Sequence, residues 1–453
     1  MINLVIMIKN YFFEARNTLV LGAPFVVNQL LQVSVATVDS MMAGADGELT
    51  LAAVAQGAAL WMLAQLIIIG IAMSLTPTIA RAFSKGDNKQ LRTLFQQGLW
   101  LAVPLSVLGI VLMCCSPYLM TIVSVRTVII APATDYLLIM AIAMPFFCFY
   151  LPIRYFNEGI GNPKVIMFIT ALSIPVNILG NYIFLNGLLG LPKMGAAGIA
   201  IASVISIIFM MTVGFFYMTK SNHIKQWRLF VKWSVPIPEI IVRLVKIGTP
   251  NSVALLMEAG MFSAIVLLSG RLGVNAAAAN QIAFNYTSTT FMIPLGISMA
   301  LMTRIGMAVM HDDMARVRII GVSGIVLGAL SMMISVLVII CLGHWVARLY
   351  TDEQAVLDMA STLLALAAIF QIPDGIQICA AGALRGLEET QSPMRYAIVG
   401  YWLLAMPLAV FLAFYMGWGS SGLWTGLIVG LTVAAILLTR RFWQLTQVKE
   451  TTQ

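Results

Sequence analysis

Charge is what this sequence has least of. Only 10% of its 453 residues are Asp, Glu, Lys or Arg, while 60% are hydrophobic. A soluble domain is roughly a quarter charged, so a water-facing surface cannot be built from this chain. Cysteine and histidine are scarce too. Cys114, Cys115, Cys148, Cys341 and Cys379 lie in or beside apolar runs and lack metal-type spacing, which points away from a disulfide framework or a metal centre. His223, His311 and His344 form no cluster. Phosphate-cradling glycine loops and nucleophile triads are missing as well. These absences argue against an intramembrane enzyme and against ATP-driven transport within this chain, and no cofactor is expected.

What remains is apolar and long. A bilayer-spanning helix needs about 20 largely apolar residues. Twelve such runs are legible, at 17–43, 50–80, 96–117, 127–153, 163–187, 195–218, 243–269, 275–303, 318–342, 355–384, 394–417 and 421–439. They are too long and continuous for barrel strands, which alternate over about 10 residues. The chain therefore reads as an all-α integral membrane protein with twelve transmembrane helices. Met1 to Arg16 reads as a short amphipathic lead-in on the membrane surface. No small-residue cleavage signature follows a short apolar core, so no removable leader is expected.

The net charge of +8 could suggest a nucleic-acid partner, but its distribution does not. With the N-terminus inside, 22 of the 26 Lys and Arg fall in inside segments, and only Arg126, Lys193, Arg271 and Arg348 fall outside. That asymmetry is the positive-inside rule for an even number of spans. It predicts a multi-pass protein with both termini in the cytoplasm.

The chain also repeats itself. When the sequence is laid on itself so that Gly22 falls on Gly248, Pro24 and Gly44 fall on Pro250 and Gly270. The same ungapped register places Gly70, Ile71, Met73, Leu75 and Ile79 on Gly296, Ile297, Met299, Leu301 and Ile305. Six spans lie in each copy, so the copies share one orientation, as in a parallel repeat. The expected organisation is two pseudo-symmetric six-helix lobes, 1–218 and 243–453, joined by a basic cytoplasmic linker at 219–242.

Ionisable groups inside spans are costly and mark function. Three acids lie well inside: Asp39, Glu258 and Asp374. Glu258 lies midway between Lys246 and Arg271, which flank its span, and so sits near mid-depth. Asp374 precedes Arg385 by about three helical turns, which also puts it near mid-depth. The repeat aligns Asp39 with Ile265 and Glu258 with Gln32, so each lobe has its own polar centre. No Lys or Arg is placed to neutralise these acids within the membrane, which makes them coupling groups for a travelling cation or proton. Pro373 frees a backbone carbonyl beside Asp374. Asn177 and Asn181 share a helix face and are positioned to hydrogen-bond Asp39. Asp135 and Glu158 lie near span ends and read as interfacial.

Several stretches together resemble the multidrug and toxic compound extrusion (MATE) family, in its NorM branch. They are VDSMMAG (38–44), AAVAQGAALW (52–61), 70–77, PVNILGNYIF (175–184), GTP…MEAGMF (248–262), AAAANQIAFN (276–285) and QIPDGIQICAAGALRG (371–386). The resemblance spans nearly the whole chain. It implies two lobes around a central cavity, and export of cationic, lipophilic drugs and dyes in exchange for inward Na+ or H+. It implies a monomer in the bacterial inner membrane. Residue by residue, it makes Glu258 and Asp374 the Na+ or H+ site, and Asp39, Asn177 and Asn181 the N-lobe polar cluster. Relatives often have a tyrosine near the two acids, whereas this chain has Phe370 and Phe291 at the candidate positions. Gln281 stands where relatives often carry a polar pair. A lipid-linked saccharide flippase is the rival within transport, disfavoured because no basic residue is placed at mid-span.

Overall fold

The computed structural model describes residues 2–122, 126–188, 190–311 and 313–447, with no side chains described for 2–7. Met1 of the expected lead-in and the tail 448–453, which holds the inside-assigned Lys449, lie outside those residues. In chain order the helices are α1 (Ile2–Asp46), α2 (Glu48–Ala72), α3 (Leu75–Ser84), α4 (Asn88–Ile122), α5 (Thr127–Gly159), α6 (Pro163–Asn186), α7 (Gly195–Lys220), α8 (Asn222–Lys225), α9 (Pro238–Arg271), α10 (Val274–Ala308), α11 (Met314–Arg348), α12 (Gln354–Gly386), α13 (Gln391–Ala397), α14 (Met406–Val410) and α15 (Gly419–Leu445). Two π-helical segments, Ile398–Ala405 and Phe411–Tyr415, flank α14.

Among the described residues, twelve stretches, from Ile8–Asp46 to Gly419–Leu445, are long and apolar enough to cross a membrane. Large apolar side chains such as Phe12, Leu179, Leu267, Ile340 and Leu403 stay exposed along them. Lipid is the solvent that such surfaces match.

One expectation fails at the start. The lead-in is no separate surface helix, because α1 runs unbroken from Ile2 to Asp46. No glycine or proline interrupts residues 10–21. Instead Glu14 and Thr18 are buried, at 6% and 0% exposure. Arg304 of α10 donates to the Glu14 backbone oxygen at 2.6 Å, to the Glu14 carboxylate and to the Thr18 hydroxyl, and Arg316 lies 3.2 Å from the same carboxylate. This polar anchor fixes the beginning of α1 against α10 and α11.

By packing, the chain divides into two compact units. One comprises Met1–Val26 with Val253–Gln453, and the other Val27–Ser252. In the Val27–Ser252 unit, α5 packs on α4, α7 and α2, and α6 packs on α7. Small residues set these approaches. A side chain on Gly57 would overlap the Tyr136 ring, and one on Gly70 would stand 2.5 Å from the Ser252 nitrogen. Glu158, expected at an interface, is fully buried in α5 and pairs with Arg154 at 2.8 Å. The i,i+4 spacing on one helix face makes that pairing possible.

The chain between α8 and α9 is strapped to α4 of the same unit. Gln96 donates to Leu229 O at 2.7 Å and accepts from Ser234 N and Oγ at 2.9 and 2.8 Å. Gln97 donates to Ser234 Oγ and Val235 O at 3.0 Å and accepts from Ile237 N at 2.7 Å. Trp100 Nε1 donates to Ser234 O at 2.9 Å. Two buried amides thus satisfy a peptide stretch that has no helix to do so. The strap also holds left-handed backbone at Arg228 (φ 49°) and Lys232 (φ 55°), which non-glycine residues seldom adopt.

In the other unit α12 is central, packed against α10, α11 and α15. Its apolar surroundings form two clusters, one around Phe370, Phe284, Leu363 and Trp424 and one around Ile297, Leu301, Ile378 and Phe442. On α15, Gly422, Gly426 and Gly430 recur at one helical turn's spacing. A Cβ on them would stand 2.6 Å from Ala413 N, 2.6 Å from Ala409 and 2.5 Å from Gly400 O. This small-residue face lets the segment 398–415 lie directly on α15, as membrane helices do where van der Waals contact drives association.

Candidate functional site

Polar groups inside spans gather at one place in each unit. In the Val27–Ser252 unit the centre is Asp39 of α1. Asn181 Nδ2 of α6 donates to Asp39 Oδ1 at 2.6 Å and to Asn177 Oδ1 at 3.2 Å. Ser203 Oγ of α7 donates to Asp39 Oδ2 at 3.3 Å. The structure therefore brings Asp39, Asn177 and Asn181 together across helices. It adds two groups that sequence reasoning missed, Ser203 and Tyr136. Tyr136 of α5 is 4% exposed and within electrostatic reach of Asp39. Asn181 is placed by Gly180, whose missing side chain lets α6 close on Ala202 of α7.

In the other unit Glu258 of α9 and Asp374 of α12 lie within electrostatic reach of each other. Asp374 is 3% exposed, and its Oδ1 has no hydrogen-bond partner among the described residues. Gly375 beside it lets α12 touch α11, since a Cβ there would stand 2.7 Å from Gly328 O. One turn earlier Gln371, 0% exposed, donates to Thr290 Oγ1 of α10 at 2.9 Å. Neither acid forms a close ion pair among the described residues.

The absence of a basic neighbour is corrected by the structure. Arg385, assigned to an inside segment by sequence, sits in the last turn of α12 and is only 5% exposed. It interacts electrostatically with Glu258 across the interior. The sequence hides this because Arg385 lies about three helical turns past Asp374 and belongs to the basic flank that the positive-inside rule accounts for. Burial of that flank is a tertiary effect.

Of the remaining expected neighbours, Phe370 stands one turn before Asp374 on α12, and Phe291 and Gln281 lie on α10. Phe370 is buried in an aromatic group, with ring centroids 6.1 Å from Phe262 and 5.6 Å from Trp424. Phe291 packs with the second cluster, around Ile297. Gln281 is exposed and donates to Asn285 at 3.3 Å on its own helix. No group of three or more His, Cys, Asp or Glu that could hold a metal ion occurs among the described residues.

Comparison with known proteins follows the same outline. A family model described as MatE matches residues 24–183 and 250–411. The two matches begin at Pro24 and Pro250, which are repeat equivalents. A "Probable multidrug resistance protein NorM" of Xanthomonas axonopodis pv. citri (strain 306) is 37% identical, over 95% of this chain and 94% of that one. A "Multidrug resistance protein MdtK" of Yersinia pseudotuberculosis serotype O:1b is 32% identical over 96% of each. Among solved structures, the eukaryotic MATE transporter AtDTX14 superposes with a TM-score of 0.85 at 19% identity, over 97% of this chain and 100% of that one. A crystal structure of MATE in the bent conformation does so with 0.87 at 18% identity, over 97% of both. The folds agree, and the central acids of both units occupy spans that the family model covers. This chain, a twelve-span membrane protein and not an enzyme, belongs to the MatE family of transporters.

Proposed function

We propose that this protein exports cationic, lipophilic drugs and dyes across the bacterial inner membrane in exchange for inward Na+ or H+. Relatives bearing multidrug-resistance names over nearly the full chain support the substrate class. One observation supports the coupling: Glu258 and Asp374 lie within electrostatic reach of each other in the interior, without a close ion pair among the described residues. Two carboxyls in one interior site favour a bound proton or monovalent cation between them. A cation attracted there from outside is released inward under the membrane potential, yielding about 2.3 kcal/mol per charge per 100 mV. Asp39, held by Asn181 and Ser203, is the second titratable centre and serves proton-linked rearrangement. In this reading both termini are cytoplasmic, six-helix lobes at 1–218 and 243–453 alternate access around linker 219–242, and the working unit is a monomer.

The test is ethidium transport in inverted vesicles, with a Na+ gradient and a pH gradient imposed separately. Glu258→Gln and Asp374→Asn are each expected to abolish ion-driven transport while the protein stays folded and inserted. Undiminished ion-driven ethidium movement in both variants would defeat the assignment.

A further inference from the structure

An arginine at the edge of a span has an explanation in the positive-inside rule. Burial of its nitrogen does not. Arg318, in the first turns of α11, has its Nε buried without a hydrogen-bond partner among the described residues. It forms no ion pair among them either. Its guanidinium lies over the Trp443 ring of α15, with Cζ 3.8 Å from the ring centroid. That contact uses the face of the guanidinium and not its five N–H donors. Thr439, one turn before Trp443, has a buried hydroxyl oxygen that is unpartnered as well. Thr432 and Thr446 of the same helix give their hydroxyls to the carbonyl four residues earlier, at 2.6 and 2.9 Å. Thr439 does not, and a buried polar group left unsatisfied is destabilising.

The backbone brings these groups together. Both α11 and α15 pack on α12. At this end Phe442 reaches α11 because residue 321 is glycine, where a Cβ would overlap the Phe442 ring. The internal repeat shows what differs here. GAAG at the start of α7 matches GSSG at the start of α15, which puts Phe215 on Thr439, and the register of Gly22 on Gly248 puts Phe95 on Gly321. In the Val27–Ser252 unit the strap sends Phe230 between that pair, with ring centroids 5.7 Å from Phe95 and 5.3 Å from Phe215. In the other unit a glycine and a threonine take the places of the two rings, beside an arginine stacked on a tryptophan. An apolar cap is thus exchanged for hydrogen-bonding groups.

Further along both helices the surface is apolar and open. Val326 of α11 and Ile436 of α15 are exposed, about two turns from Arg318 and Trp443. Trp443 is itself 44% exposed, as interfacial tryptophans are, and Arg440 beside Thr439 is exposed too. We propose that the edge of the α11–α15 pair holds one anionic glycerophospholipid, its phosphate taken by the Arg318 guanidinium and the Thr439 hydroxyl, with Arg440 beside them and its acyl chains along Val326 and Ile436. Basic groups without a carboxylate partner favour an anionic lipid over a zwitterionic one, and the apolar surface beyond them favours a lipid over free phosphate. In the topology proposed above this edge meets the cytoplasmic leaflet, but binding at the site can be read without that assignment.

The experiment is native mass spectrometry of the purified full-length protein in detergent, titrated with phosphatidylglycerol and, separately, with phosphatidylcholine of the same acyl chains. The parent is expected to hold one phosphatidylglycerol in preference to phosphatidylcholine. Arg318→Gln is expected to weaken that binding about fivefold. Lys89→Gln, which removes the same charge from an exposed position on α4, is expected to leave it unchanged. Equal weakening in both variants reduces the effect to bulk charge and overturns the site, as does undiminished binding by Arg318→Gln. Equal retention of the two lipids by the parent overturns the anionic headgroup. Displacement of the lipid by an equal concentration of glycerol 3-phosphate assigns the site to a free phosphate and overturns the lipid. A second measurement keeps Arg318 in place: 19F NMR of the 5-fluorotryptophan-labelled protein in nanodiscs, with the Trp443 signal assigned by its loss in Trp443→Phe. That signal is expected to move when phosphatidylglycerol replaces phosphatidylcholine. A movement no larger than that of the other exposed tryptophans, Trp233 and Trp345, overturns the proposal.

Discussion

Gly248→Ala is expected to destabilise the protein, whereas the same change at its repeat equivalent Gly22 is not. The two glycines open matching GxP sequences, and by sequence alone they should behave alike. Their surroundings differ. A Cβ on Gly248 would stand 2.5 Å from Ile71 Cα and 2.8 Å from its carbonyl carbon. These are backbone atoms of α2, and no rotamer change moves them. A Cβ on Gly22 would meet Ala300 Cβ and Ile297 Cα at 3.7 Å, an ordinary contact. Gly270 of α9 is a control, since nothing lies within 4 Å of the added carbon. Alanine gains about 1 kcal/mol over glycine inside a helix, and overpacking costs about 1–3 kcal/mol. The net expectation is a loss of up to about 2 kcal/mol for Gly248→Ala and none for the other two. Apparent melting temperatures, read by fluorescence-detected size exclusion after heating, should rank Gly270→Ala and Gly22→Ala at or above the parent. Gly248→Ala should fall below it. Equal losses at 22 and 248 would refute the reasoning.

Two other perturbations probe the polar anchors. Glu14→Gln removes the carboxylate that binds Arg304 and Arg316 and is expected to lose about 3 kcal/mol, because a mostly buried guanidinium is left uncompensated. Adding Arg304→Met should restore part of that stability in a melting assay, and strictly additive losses would argue against the pair. Replacing Gln96 and Gln97 together by leucine deletes the hydrogen bonds that hold residues 229–237 to α4. Limited trypsin digestion should then cut faster after Arg228 or Lys232, and an unchanged cleavage rate would show that the strap is held by other contacts.

The spans are legible in the sequence because lipid imposes a one-dimensional rule, about 20 apolar residues per crossing, and short polar connections mark the breaks. The beginning of α1 is not, because its polarity suggests an interfacial helix while Arg304 and Arg316, far away in sequence, bury Glu14. Asp39 with Asn177 and Asn181 is readable from helical spacing plus depth. Ser203 and Tyr136 are not, because hydroxyls in apolar spans are common and only a neighbour across the helix distinguishes them. Arg385 misleads for the opposite reason: a basic residue at a span end already has an explanation, and burial is invisible in one dimension.

The repeat governs more than composition. The packing units divide after Val26 and after Ser252. These positions are themselves repeat equivalents, each just past a proline inside its helix, Pro24 or Pro250. The close contacts obey the same relation. Gly22 meets Ile297 and Gly248 meets Ile71; Gly296 meets Val26 and Gly70 meets Ser252. The first helix of each repeat therefore packs its opening turns with helices of the other repeat and the rest with its own. At Gly248, Gly70 and Gly296 the exchange brings backbones too close for a side chain, whereas at Gly22 the equivalent contact leaves room for one. The chemistry follows no such rule. Asp39 aligns with Ile265 and Glu258 with Gln32, so the acids of the two polar centres stand at different positions along equivalent helices. Packing is duplicated whereas the acids are not, and on this ground each centre should fail separately when its own acid is removed.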